Sequence, residues 1–96
     1  MTESIKTIKL SATLSTLAGA KTITVPVGAD ATARDLLYAI QRIYPTLGGQ
    51  IVNDAGELTS GIQFLVGGRH IDFLQGLDTP IADVTQFMLI PPLSGG

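Results

Sequence analysis

From Ile8 the chain alternates apolar and polar residues, with Ile8, Leu10, Ala12 and Leu14 set against Lys9, Ser11 and Thr13. This is the two-residue period of a strand with one buried face. Leu17-Ala18-Gly19-Ala20 interrupts the pattern, and Ile23, Val25 and Val27 resume it, so residues 8–27 read as a hairpin. Pro26 cannot donate to a ladder and marks the edge or the end of its strand. Thr32, with an acid three positions on at Asp35, has the spacing of a capping box. Leu36, Leu37, Ile40, Ile43 and Tyr44 follow at helical spacing, giving an amphipathic helix stopped by Pro45.

Residues 46–61 carry Gly48-Gly49, Asn53-Asp54 and Gly56 and read as an irregular excursion, briefly extended at 50–52. Residues 62–66 and 69–71 flank Gly67-Gly68, a pair suited to a tight hairpin turn at positive φ, and a last strand occupies 86–90. The order is ββαβββ. A lone helix among these strands can bury its apolar stripe only against one face of a shared sheet. The expected fold is therefore α+β, a β-grasp roll with a mixed sheet and one main helix packed on one face.

Composition narrows the function. A chain of 96 residues is one domain, and 45% hydrophobic against 15% charged residues is far from the composition of disordered chains. The net charge is −2 and the six Lys and Arg are scattered from Lys6 to Arg69, so no basic stripe suits nucleic acid. With no cysteine, disulfides, thiolate metal sites and cysteine nucleophiles are excluded. Glu3, Lys6 and Lys9 interrupt the N-terminal region, no apolar run approaches a membrane span, and the expected location is the cytoplasm. His70 is the only histidine; in a strand it would share a face with Asp72, but with no nucleophile placed to use the pair it reads as a solvated strand face. One histidine and scattered acids have no metal-ligand spacing.

The informative segment is the last one, Pro91-Pro92-Leu93-Ser94-Gly95-Gly96. Two prolines end the strand and favour an extended course that projects the chain from the domain. Two glycines carry no side chain to obstruct a narrow channel, so such a tail can present its carboxylate inside another enzyme's active site. Because glycine makes up about 7% of residues, a terminal pair is a coincidence of about one chain in 200. The chain is thus divided into a domain over 1–90 and a flexible tail over 91–96.

With the ending Ile90-Pro91-Pro92-Leu93-Ser94-Gly95-Gly96 and the preceding Leu77-Asp78-Thr79-Pro80-Ile81, nearly the whole chain resembles the MoaD/ThiS-type sulfur carriers. These are ubiquitin-like proteins that include the small subunit of molybdopterin synthase. Asp83-Val84-Thr85 departs from the family's acidic, Gly-containing turn, and the 46–61 excursion is longer than in minimal members.

The resemblance implies a carrier, not an enzyme. A ubiquitin-activating-type adenylating enzyme would convert the Gly96 carboxylate to an acyl-adenylate, and a sulfur donor would displace AMP to leave a thiocarboxylate. ATP and the donor belong to that partner, since this chain has no phosphate-cradling motif and binds no cofactor of its own. The acceptor would be an enzyme such as the molybdopterin synthase large subunit, in molybdenum cofactor biosynthesis. Sulfur delivery to thiamin, cysteine or tRNA remains open, as does a ubiquitin-like modifier joining Gly96 to lysines of target proteins. Partner contacts are assigned to Gly95, Ser94, Leu93, Pro92 and Pro91, with Ile90 and His70 on the sheet face away from the helix. That placement follows from alternation: with Phe87, Leu89 and Ile71 inward, Met88, Ile90 and His70 point out.

Overall fold

The computed structural model describes residues 3–11 and 13–92. Five strands form one mixed sheet: β1 (Glu3–Leu10), β2 (Thr22–Gly28), β3 (Gln63–Val66), β4 (Arg69–His70) and β5 (Gln86–Ile90), in the spatial order β2-β1-β5-β3-β4. β1 runs antiparallel to β2 and parallel to β5, while β3 is antiparallel to both β5 and β4. One face is covered by α2 (Ala33–Ile43), giving the β-grasp roll that the pattern of elements implied.

The helix is built as its sequence suggests. The Thr32 hydroxyl accepts from the Asp35 N–H at 3.4 Å, and the Asp35 carboxylate accepts from the Thr32 N–H at 2.9 Å, so two orphan donors of the first turn are satisfied. Ala33, Leu36, Leu37 and Ile40 are at most 1% exposed and face the inner residues Ile8, Val25, Phe64 and Leu89, none of which is exposed at all. Burying each of these side chains other than that of Ala33 contributes about 1.5 to 3 kcal/mol. Outside the core, Arg34 on α2 pairs with Asp78, and hydrogen bonding to that carboxylate raises the guanidinium pKa further.

The first hairpin differs from expectation. β1 begins at Glu3 and ends at Leu10, and Thr13–Ala18 form a short helix, α1. Leu14 is buried as a helical residue. The alternation misled because Leu10 and Leu14 are four apart, a spacing that strand and helix periods share, and Ala12, its third member, lies outside the described residues. β1 and β2 still pair antiparallel, Ile8 opposite Ile23 and Lys6 opposite Val25. Leu10 donates to Lys21 across this ladder at 2.8 Å, so by alternation Pro26 falls at a position directed to the free side of β2. β2 is an edge strand, where the missing N–H costs no ladder bond.

The excursion also differs. Tyr44 ends α2, and Pro45–Ile51 form a third helix, α3, with Pro45 in its first turn, where its missing N–H is no loss. Gln50 and Ile51 are helical, not extended; only Val52 makes a bridge, to Leu58. Gly48 is a packing residue, not a turn residue: a Cβ there would lie 2.4 Å from the Gln41 Cα, so the two helices approach this closely only over glycine. The Gly67-Gly68 turn is as expected, with φ of 61° and 89°. The strand after it stops at His70, and Ile71–Phe73 turn into a 3-10 helix.

Candidate functional site

β5 occupies the middle of the sheet, parallel to β1 on one side and antiparallel to β3 on the other, so the chain leaves Ile90 from a strand held on both flanks. Pro91 and Pro92 follow; neither can donate, and the ladder ends there. Carrying the β3–β5 register, in which Gln63 faces Ile90, two residues further sets Pro92 opposite Gly61. The proline ring does lie against that glycine. The tail therefore begins at a seat made by the end of the 46–61 excursion. Leu93, Ser94, Gly95 and Gly96, assigned above as partner contacts and reactive end, lie outside the described residues.

The turn that feeds β5 is held by a residue that sequence reasoning passed over. Lys6 is only 1% exposed, on the inner face of β1 in phase with Ile8 and Leu10. Its Nζ donates to the carbonyl oxygens of Ile81 at 2.8 Å, Ala82 at 3.3 Å and Val84 at 2.6 Å. A buried ammonium is costly unless its donors are all used, and here all three are. The alternation held the signal, since a lysine at an inward position of a strand must find acceptors. With the cation in place, the Asp83-Val84-Thr85 segment turns without glycine, Val84 donating to Ile81 at 3.0 Å.

The outer face of the sheet carries the other assigned residues. Phe87 and Leu89 are 3% and 0% exposed against the helix side, and Met88 and Ile90 point the other way, half-buried, as alternation requires. Lys9, Met88, Leu65 and His70 are successive partners across four strands and form one row. Ile90 lies two residues beyond Met88, opposite Gln63. His70 and Ile90 thus share a face but stand two strands apart, and the apolar centre between them is Met88 and Leu65. Leu65 was missed, although the buried Phe64 beside it implies that Leu65 faces out. A shallow depression of about 200 Å³ on this face is lined by Lys9, Leu65, Gly68, Gln86, Phe87 and Met88.

His70 and Asp72 do not share a strand face. Asp72 belongs to the 3-10 turn, and the His70 Nδ1 accepts from the Asp72 backbone N–H at 3.1 Å. The imidazole packs edge to face on Phe73, centroids 6.4 Å apart. Phe73 is 82% exposed and extends the row at its β4 end. Among the described residues no three His, Cys, Asp or Glu side chains gather to hold a metal. None of the helices among them is long and apolar enough to cross a membrane. A larger depression of about 340 Å³, between the β2 edge and α2 and lined in part by Glu3, Asp35, Tyr38 and Arg42, shares no residue with the tail root or the outer row.

Comparison with known proteins places these features in context. The ThiS family matches residues 8–96, a span that includes the Gly95-Gly96 ending. Small archaeal modifier protein 1 of Haloferax volcanii is 36% identical over 88 residues, 92% of this chain and 97% of the relative. Small archaeal modifier protein 3 of the same organism is 32% identical over 89 residues, 93% and 96% of the two chains. The crystal structure of SAMP1 from Haloferax volcanii superposes with a TM-score of 0.84 at 34% identity, covering 97% of this chain and 100% of that one.

Proposed function

The chain belongs to the ThiS family, and from that premise we propose that it is a sulfur carrier whose working group is the α-carboxylate of Gly96. A carboxylate is a poor electrophile until one oxygen becomes part of a good leaving group. An adenylating enzyme supplies this by joining the carboxylate to the α-phosphate of ATP with release of pyrophosphate. Sulfide-level sulfur from a donor then attacks the acyl carbon, AMP departs with the former carboxylate oxygen, and a proton is released to leave a thiocarboxylate in which one oxygen is replaced by sulfur. The thiocarboxylate hands that sulfur to an acceptor in a second enzyme, for which the synthesis of molybdopterin is the first candidate. The chain itself acts as co-substrate, with the domain over residues 1–90 as the handle and 91–96 as the arm.

One observation carries the reading: β5 delivers the chain at Pro91-Pro92 beside an outward apolar row, Met88 and Leu65, bordered by Ile90, His70 and Phe73. An end group can be processed by a partner only if the body is held at a fixed distance from the partner's active site. A patch at the root of the arm gives that registration. Met and Phe are enriched at interfaces, and here the half-buried Met88 and the exposed Phe73 lie on the same outer row.

A second reading is favoured by the similarity to proteins named modifiers: transfer of the activated Gly96 to a lysine amine. Both readings share the adenylate and part at the nucleophile. Intact mass after incubation with an adenylating enzyme, ATP and a sulfur source separates them. Exchange of one oxygen for sulfur supports the carrier, and lysine-linked adducts support the modifier.

A further inference from the structure

We propose that Gly61 is a positioning residue for the tail: it forms the seat on which Pro92 rests and thereby sets the direction in which residues 93–96 leave the domain. The inference rests on the activation of Gly96 proposed above and assigns a role to the excursion that precedes β3. Gly61 has φ +87°, a conformation that L side chains rarely adopt. A Cβ built there would lie 2.9 Å from Cγ and 3.0 Å from Cβ of Pro92, with the Pro92 Cα at 3.8 Å. The clash could not be relieved by a side-chain rotation, because the proline ring is closed on its own backbone. Either the backbone at residue 61 or the chain at Pro92 would have to shift, and the contact between them would be lost.

The consequence follows from leverage. The four residues after Pro92 reach about 14 Å when extended, so turning the root by about 20° displaces the far end by about 5 Å. Misplacing a reacting group by about 1 Å can cost about a hundredfold in rate. Pro92 itself is exposed and donates no hydrogen bond. A contact with the one residue type that leaves room for it accounts for the pairing of a glycine at positive φ with a proline at this point.

The test uses the full chain as wild type, Gly61→Ala, Pro92→Gly and the double variant. Each is followed by thermal unfolding and by conversion to the thiocarboxylate with an adenylating enzyme, ATP and a sulfur source, and wild type and Gly61→Ala also by nuclear Overhauser contacts between residue 61 and the Pro92 ring. Gly61→Ala is expected to lower both Tm and kcat/KM, the latter by about tenfold or more. Pro92→Gly is expected to lower kcat/KM comparably with little change in Tm. The double variant should then be no slower than Pro92→Gly alone, since both changes act on one contact, and should keep only the part of the Gly61→Ala Tm loss that comes from an L side chain at φ +87°. Conversion rates that merely follow Tm, rate losses that multiply in the double variant, or Pro92→Gly converted at the wild-type rate would each overturn the proposal. If the wild type is not converted at all, the activation reading has failed, and the Overhauser contact decides the seat: present in wild type and lost in Gly61→Ala upholds it, absent in wild type overturns it.

Discussion

The Lys6 ammonium donates a 2.6 Å hydrogen bond to the carbonyl oxygen of Val84 from the opposite end of the chain, and so ties the inner face of β1 to the turn that launches β5. The same group also binds the Ile81 carbonyl at 2.8 Å. Lys6→Met keeps the unbranched side chain out to the position of Cε and removes the ammonium, leaving the Val84 carbonyl without that donor and the Ile81 carbonyl with only the Val84 N–H at 3.0 Å. The expected cost is about 2 to 4 kcal/mol, since each buried acceptor left unpaired costs about 1 to 3 kcal/mol and water reaches some of them. Urea unfolding measures it. A loss under about 0.5 kcal/mol would show that the cation is not what holds this turn.

How far the sequence could be read differs from element to element. The Thr32 and Asp35 spacing, the Gly67-Gly68 turn and the alternation of Phe87 to Ile90 are local signals, and each is realised as read. Two elements were lost where one signal has two meanings. Leu10 and Leu14 suit a strand or a helix, and α1 follows β1 without a break in the pattern. Gly48-Gly49 suggests a turn, yet Gly48 is demanded by the Gln41 backbone across a helix contact that no local pattern reveals. The proposed reactive end is read from the Pro-Pro and Gly-Gly residue types alone, and residues 93–96 lie outside the described residues. Its supports were not legible: Lys6 with its acceptors, and Gly61 with Pro92, are contacts between segments distant in sequence.

The outer row should behave as a docking surface. Met88→Lys at its centre, and Ile90→Lys nearer the tail root, are expected to raise the KM of the carrier in adenylation, or its Kd for the acceptor enzyme, by about tenfold or more, the loss of an aliphatic anchor of about 1.5 to 3 kcal/mol. Both residues are half-buried on the face away from α2, so the variants should keep the wild-type circular dichroism spectrum. Folded variants with wild-type KM and Kd would move the docking site to another face.

Gly95→Val tests the channel argument at the tail itself. A β-branched side chain widens the chain and stiffens its backbone, so conversion to the thiocarboxylate is expected to fall while binding to the adenylating enzyme persists. Binding by titration calorimetry and single-turnover conversion, measured on one preparation, separate the two effects. Conversion at the wild-type rate would contradict the narrow channel.

The lysines bear on the modifier reading. Lys6 is sealed in the core, whereas Lys9 and Lys21 are exposed. Any self-conjugate formed through Gly96 is therefore expected at Lys9 or Lys21, and peptide mapping of cross-linked species checks this. An adduct at Lys6 in the folded protein would require the Ile81 to Val84 turn to open and would contradict the buried placement.

The most direct test of the carboxylate as the working group is the intact mass of wild type and of a variant lacking Gly96, each incubated with an adenylating enzyme, ATP and a sulfur source. The expected result is replacement of one oxygen by sulfur in the wild type, none in the truncated chain, and nearly equal melting temperatures for both. Sulfur incorporation into the truncated chain at the wild-type rate would contradict the account.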